Sequence, residues 1–124
     1  MDALKLGYTW LKCGIAVEML AAKPGTLQER VFVAFRELHV LQETDFPDDV
    51  RDTYVELRNE LNRCDPTGRE GRATATIRQM TGASRAALLI VGLADRVTVL
   101  YTQARIQEGL GPKWRPLPSA PSEN

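Results

Sequence analysis

Four arginines, Arg63, Arg69, Arg72 and Arg78, fall within sixteen consecutive residues, with the hydroxyls of Thr74 and Thr76 among them. Guanidinium forks, hydroxyls and the free amides of a helix start near Arg72 are together what holds a phosphate or another anion. The same stretch, DPTGREGRATATIRQM at residues 65–80, also interposes Asp65 and Glu70 and carries no aromatic side chain on which a base could stack. Its opening Asp-Pro-Thr-Gly is ordinary turn chemistry, and GREGR has neither the length nor the lysine of a nucleotide-binding phosphate loop. Two readings stand side by side: a solvated connection between helices, or anion or nucleic-acid binding through segment 63–85.

The remaining chemistry-bearing residues are sparse. His39 is the only histidine, with Glu43 four residues on spaced to orient it, but a partly exposed helix histidine accounts for it better than a proton shuttle. Glu43, Asp45, Asp48, Asp49 and Asp52 are dense enough to suggest a hard cation. They lack the alternating ligands and mid-loop glycine of a calcium loop, and a helix N-terminus attracts such charges by itself. Cys13 and Cys64 have no companions at zinc-ligand spacing and signal no disulfide framework. No serine, threonine or cysteine sits in a strand-turn-helix nucleophile setting. The sequence thus predicts no catalytic residues, no metal and no cofactor.

The elements that would position these residues are helical. With 124 residues and 44% hydrophobic side chains, the chain has the size and composition for one cored domain. Sixteen basic side chains balance sixteen acidic ones, so bulk charge draws the molecule to neither nucleic acid nor an anionic membrane. The balance is uneven: eleven acidic and seven basic residues precede position 63, and from Arg63 onward there are five acidic and nine basic. No cleavable leader pattern opens the sequence, and the longest apolar run, Ala86 to Ala94, is too short to span a bilayer. These features predict a cytosolic location and no membrane partner.

Apolar spacing at Leu4, Tyr8, Leu11, Ile15 and Met19 predicts a helix over residues 3–22 with that stripe inward, widened by Trp10, Val17 and Leu20. Lys23-Pro24-Gly25 stops it. Thr26 and Glu29 form a capping box for a second helix reaching about Glu43, its apolar face being Leu27, Val31, Ala34, Phe35, Leu38 and Leu41. Pro47 and the following aspartates start a third, which buries Val50, Tyr54, Leu57 and Leu61. A short helical run at residues 73–80 precedes a last helix to about Gln107, apolar on nearly all sides and so expected to lie at the centre, with Gly92 marking a close helix crossing.

From Gly109 onward, GLGPKWRPLPSAPSEN holds four prolines and cannot continue a helix. It contains RPLPSAP, a pattern of the kind bound by polyproline-recognising domains, and two large apolar side chains, Trp114 and Leu117, that a short segment cannot bury alone. Those two are expected to dock on the bundle or on a neighbouring copy.

The order GTLQERVFVAFRELHVLQETDFPDDVRDTYVELRNEL, then GREGRATATIRQM, then a final helix with a tyrosine near its end, resembles a group of small bacterial proteins to which no activity is attached. The resemblance runs over residues 10–104, departs at Gly82-Ala83-Ser84, where that group more often has acidic residues, and implies a helical, bacterial, cytosolic protein. The reading that results is an all-α antiparallel bundle of four main helices (residues 1–108) with a proline-rich tail (residues 109–124). Its predicted role is that of a non-catalytic interaction or regulatory subunit whose partner is another protein chain or a second copy of itself.

Overall fold

The computed structural model describes residues 1–62 and 83–111. They form four α-helices, α1 (Ala3–Ala22), α2 (Leu27–His39), α3 (Asp48–Asn62) and α4 (Ser84–Gln107), with a 3-10 turn at Glu43–Asp45 and no strand among the described residues. The protein is all-α. The helical run expected at 73–80 and the tail beyond Gly111 lie outside the described residues.

Local chemistry sets the helix ends. The Asp2 carboxylate caps α1 by accepting from the Lys5 amide at 2.9 Å, and α1 stops at Lys23, before Pro24 and a Gly25 whose φ of 114° suits glycine alone. Thr26 caps α2 by accepting from the Glu29 amide at 3.1 Å, while its hydroxyl donates to the Glu29 carboxylate at 3.3 Å. Asp48 and Asp49 occupy the first turn of α3 behind Pro47, where the positive end of the helix dipole favours them.

The second helix ends at His39, short of the expected Glu43. The reason is a side chain on another helix. The buried Tyr54 hydroxyl, from α3, shares its one proton between the Leu41 carbonyl at 2.6 Å and the Leu38 carbonyl at 2.9 Å, while the Leu41 amide turns back to the Leu38 carbonyl at 3.0 Å, which a longer α2 would have paired with the Gln42 amide. The chain then turns inward. Leu41 and Phe46 are buried on either side of the 3-10 turn, and the Phe46 ring stacks on Tyr54 with centroids 4.2 Å apart. Around this turn every carbonyl in question has a donor: Asp45 receives the Thr9 hydroxyl of α1 at 2.7 Å, and Arg51 reaches Glu43 and Phe46, each at 3.0 Å.

Helix α1 packs against both α2 and α4, and α4 packs against α3 as well. The inner faces of α2 (Val31, Ala34, Phe35, Leu38) and α3 (Val50, Tyr54, Leu57, Leu61) are buried as their spacing predicts. The inner face of α1 is the predicted one only in part: Trp10 and Leu20 are buried and Val17 and Met19 pack against the core. Ala3, Leu6, Trp10, Cys13, Ala16 and Leu20 are buried, whereas Leu4 is 89% exposed and Tyr8 and Leu11 about half exposed (52% and 49%). At 3.6 residues per turn the two sets centre on opposite sides of the helix. The structure buries the side rich in small residues because α1 has two neighbours to accommodate, and alanine, cysteine and Gly14 let both backbones come close.

The placement of α4 is also corrected. Among the described residues it is not enclosed: Ala86, Ile90, Leu93, Val97, Tyr101 and Ala104 face the core, while Leu88 (72%), Val99 (55%) and Ile106 (57%) face outward. No heavy atom of the described residues lies within 4 Å of where a Cβ on Gly92 would stand, so no helix crosses there among them.

Tyr54 yields a stability prediction. Burial pushes its hydroxyl up to about 12, with Arg58 opposing in part. A raised value in the fold leaves stability intact below the ordinary value near 10, and lets it fall as the unfolded chain ionises first above that. Stability is expected to drop by roughly 1.4 kcal/mol per unit between pH 10 and about 12 on this account alone. Tyr54→Phe should cost roughly 1–3 kcal/mol at neutral pH by taking the hydroxyl from the Leu41 carbonyl, and should lack that alkaline slope. Denaturant melts of both proteins from pH 8 to 12 check it; equal slopes would refute the assignment.

Candidate interaction site

The residues singled out by type scatter in space or find structural partners. His39 is exposed at the end of α2 with its ring edge-on to Phe35 at 5.8 Å, while Glu43 lies in the next turn and faces Arg58 at 3.9 Å. The acidic set is divided in the same way. Asp45 accepts from the Gln42 amide at 2.7 Å, and Asp48 pairs with Arg51 at 2.8 Å. No group of three metal-ligating side chains occurs among the described residues. Cys13 is buried between helices, which leaves it packing rather than reactivity. Arg63, Arg69, Arg72, Arg78, Cys64, Trp114 and Leu117 lie outside the described residues. Arg85, the described basic residue of segment 63–85, is ion-paired with Glu56.

What the fold does assemble is apolar surface in two places. The first is a groove of about 470 Å³ where the start of α1 meets the end of α4. Leu4, Tyr8 and Leu11 make one wall; Tyr101, Arg105, Glu108 and Leu110 make the other. Its geometry begins with Gly7, where an added Cβ would stand 3.3 Å from the Tyr101 ring, so glycine is what lets α4 lie this near α1. Trp10 then packs against Tyr101 at 4.9 Å, and the Ala3 amide donates to the Glu108 carboxylate at 2.7 Å, joining the two helix ends.

The chain leaves α4 along this groove's edge. The Gly109 amide donates to the Ile106 carbonyl (3.0 Å) and the Leu110 amide to the Arg105 carbonyl (2.8 Å), the paired bonds of a Schellman ending, with Gly109 at φ 74°. The Arg105 guanidinium, lying over Tyr101, donates back to the Gly111 carbonyl at 2.8 Å and the Leu110 carbonyl at 3.2 Å. Sequence reasoning did not anticipate the groove or the arginine that ties its rim. The available signal was the pairing of Gly109 and Gly111 around an apolar residue, a few positions past an arginine in the last helical turn.

The second surface is the outer side of α4. Leu88, Gly92, Val99 and Ile106 repeat on one stripe, with Val91 beside it and Asp95 within it. By length and composition α4 could cross a bilayer, and a third of its most apolar window is buried inside the fold. No protein-family model, no curated protein and no solved structure matches the chain.

The two glycines predict opposite responses to the same change. Gly92→Ala meets open space and should gain about 1 kcal/mol from helix propensity. Gly7→Ala has the same propensity gain but drives a methyl at Tyr101, a ring fixed between Trp10 and Arg105; overpacking of roughly 1–3 kcal/mol should make it a net loss. Thermal melts of the two variants decide this, and a stabilised Gly7→Ala protein would show that the helices are not held this close.

Proposed function

We propose that the protein is a non-catalytic interaction or regulatory subunit of a bacterial cytosolic system, and that it presents the outer side of α4 to another protein chain or to a second copy of itself. The arrangement behind this reading is an antiparallel four-helix bundle. Lys12 pairing with Glu37 while Arg30 donates to the Leu20 carbonyl supports it between α1 and α2, as do Arg85 with Glu56 and Arg96 near the Asp49 carbonyl between α3 and α4.

The observation that carries the function is the stripe of Leu88, Val99 and Ile106, each more than half exposed, on a helix whose opposite side is core. Large aliphatic side chains repeating along one outward helical face are what an apolar partner surface recognises, and contiguous patches of this kind on a soluble protein mark interaction sites. Gly92 within the stripe offers a partner helix close backbone approach. The resemblance noted in the sequence supports the bacterial setting.

Leu88→Glu with Val99→Glu tests the reading. Because both positions point outward, the double variant should keep its helical circular dichroism and its melting free energy to within about 0.5 kcal/mol. Its mass by light scattering should fall relative to the parent if the partner is a second copy; if the partner is another chain, complexes isolated from the native host should be lost. A parent protein that is monomeric at high concentration and retains the same companions after the double substitution would refute the proposal.

A further inference from the structure

We propose that the groove between α1 and α4 is the docking site for the chain's own residues 112–117, with Trp114 as the side chain that fills it. This inference stands on a different surface from the outer face of α4 and does not depend on it.

The first argument is where the chain goes. Gly109 and Gly111, at φ 74° and 71°, reverse the backbone at the end of α4, Leu110 already lines the groove, and Arg105 holds the carbonyls of Leu110 and Gly111 against its rim. The chain is thus delivered to the groove's mouth and fixed there. Leu110 lines the same groove as Leu4 and Tyr8.

The second argument is fit. Trp114 is three residues past Gly111, a reach of about 10 Å for extended chain. Trp114 and Leu117 are spaced by about 9 Å in a polyproline helix, and Leu4 to Leu11 spans about 10 Å along α1. Pro112, Pro116 and Pro118 favour that extended form before docking, which lowers the entropy lost on binding. A volume of about 470 Å³ is within the range that holds a small aromatic molecule.

The third argument is what is otherwise unaccounted for. The exposed wall of Leu4, Tyr8 and Leu11 is the apolar stripe that periodicity would place inside a protein, and it borders an exit point whose next residues carry a tryptophan and a leucine. The segment and the surface each need a partner of the other's kind, and they are within reach in one molecule.

The test uses the full chain and its two tryptophans. Trp10 is 5% exposed, so fluorescence quenching by a neutral quencher reports chiefly on Trp114. The intact protein should quench little more than its Trp114→Phe variant. Leu4→Glu with Leu11→Glu, at positions exposed enough to leave the fold intact, should raise the quenching of Trp114 several-fold at unchanged circular dichroism, with no such rise when Trp114→Phe is added. Free quenching of Trp114 in the intact protein would overturn the proposal. So would protection that disappears on dilution together with a halving of mass, which would put the tail on a neighbouring copy. Protection that survives both the charge substitutions and dilution would overturn it as well, by placing Trp114 elsewhere.

Discussion

The hydroxyl of Tyr54 ends one helix while belonging to another, and the arrangement of the remaining elements follows from that bond. By donating to the Leu38 and Leu41 carbonyls it joins α3 to the end of α2 through the interior. A connection that buries Leu41 and Phe46 while Val40 and residues 42–44 stay exposed must find donors for the carbonyls it turns inward. Here Thr9 comes from α1 and Arg51 from α3, one turn before Tyr54, so three separate helices meet on the few residues from Leu38 to Phe46. With the Phe46 ring stacked on Tyr54, the buried Leu41 and Phe46 anchor the turn to the core on either side of it.

That inward turn shapes the outside of the molecule. Once α3 is held against the end of α2, α4 settles between α3 and α1, and α1 must serve two neighbours. Its small side chains meet that requirement together with Leu6, Trp10 and Leu20, and Leu4, Tyr8 and Leu11 are left facing away. The same economy applies to α4, which spends alanines and Ile90, Leu93 and Val97 inward and leaves Leu88, Val99 and Ile106 outward. The surfaces assigned to interaction are therefore the reverse sides of the core helices. Changes that keep the inner faces can alter association without touching stability.

Legibility in the sequence varied from helix to helix for a physical reason. Helix α3 carries one apolar stripe, Val50, Tyr54, Leu57 and Leu61, and charged residues nearly everywhere else, so only one face could go inward, and it did. The inner face of α2 was readable on the same ground. Helix α1 is apolar on two sides, and periodicity detects a stripe without saying whether it faces core or solvent. The aspartates before α3 were readable as helix-start charges, because a helix dipole acts within a single turn and needs nothing distant. The groove was not readable, since Leu4 and Leu110 are more than a hundred residues apart in the chain and meet through packing at Gly7.

By itself the sequence determined that the chain is helical, where α1, α2 and α3 begin, and which sides of α2 and α3 are inward, because caps, proline, glycine and a single apolar stripe act over one or two turns. Tertiary structure alone decided where α2 stops, which side of α1 is buried and that α4 lies at the edge of the core. Each of these depends on a group from another helix: a tyrosine hydroxyl competing for carbonyls, two backbones needing close approach, and neighbours that cover only one face. Such groups are brought together by the whole fold, and no local spacing encodes them.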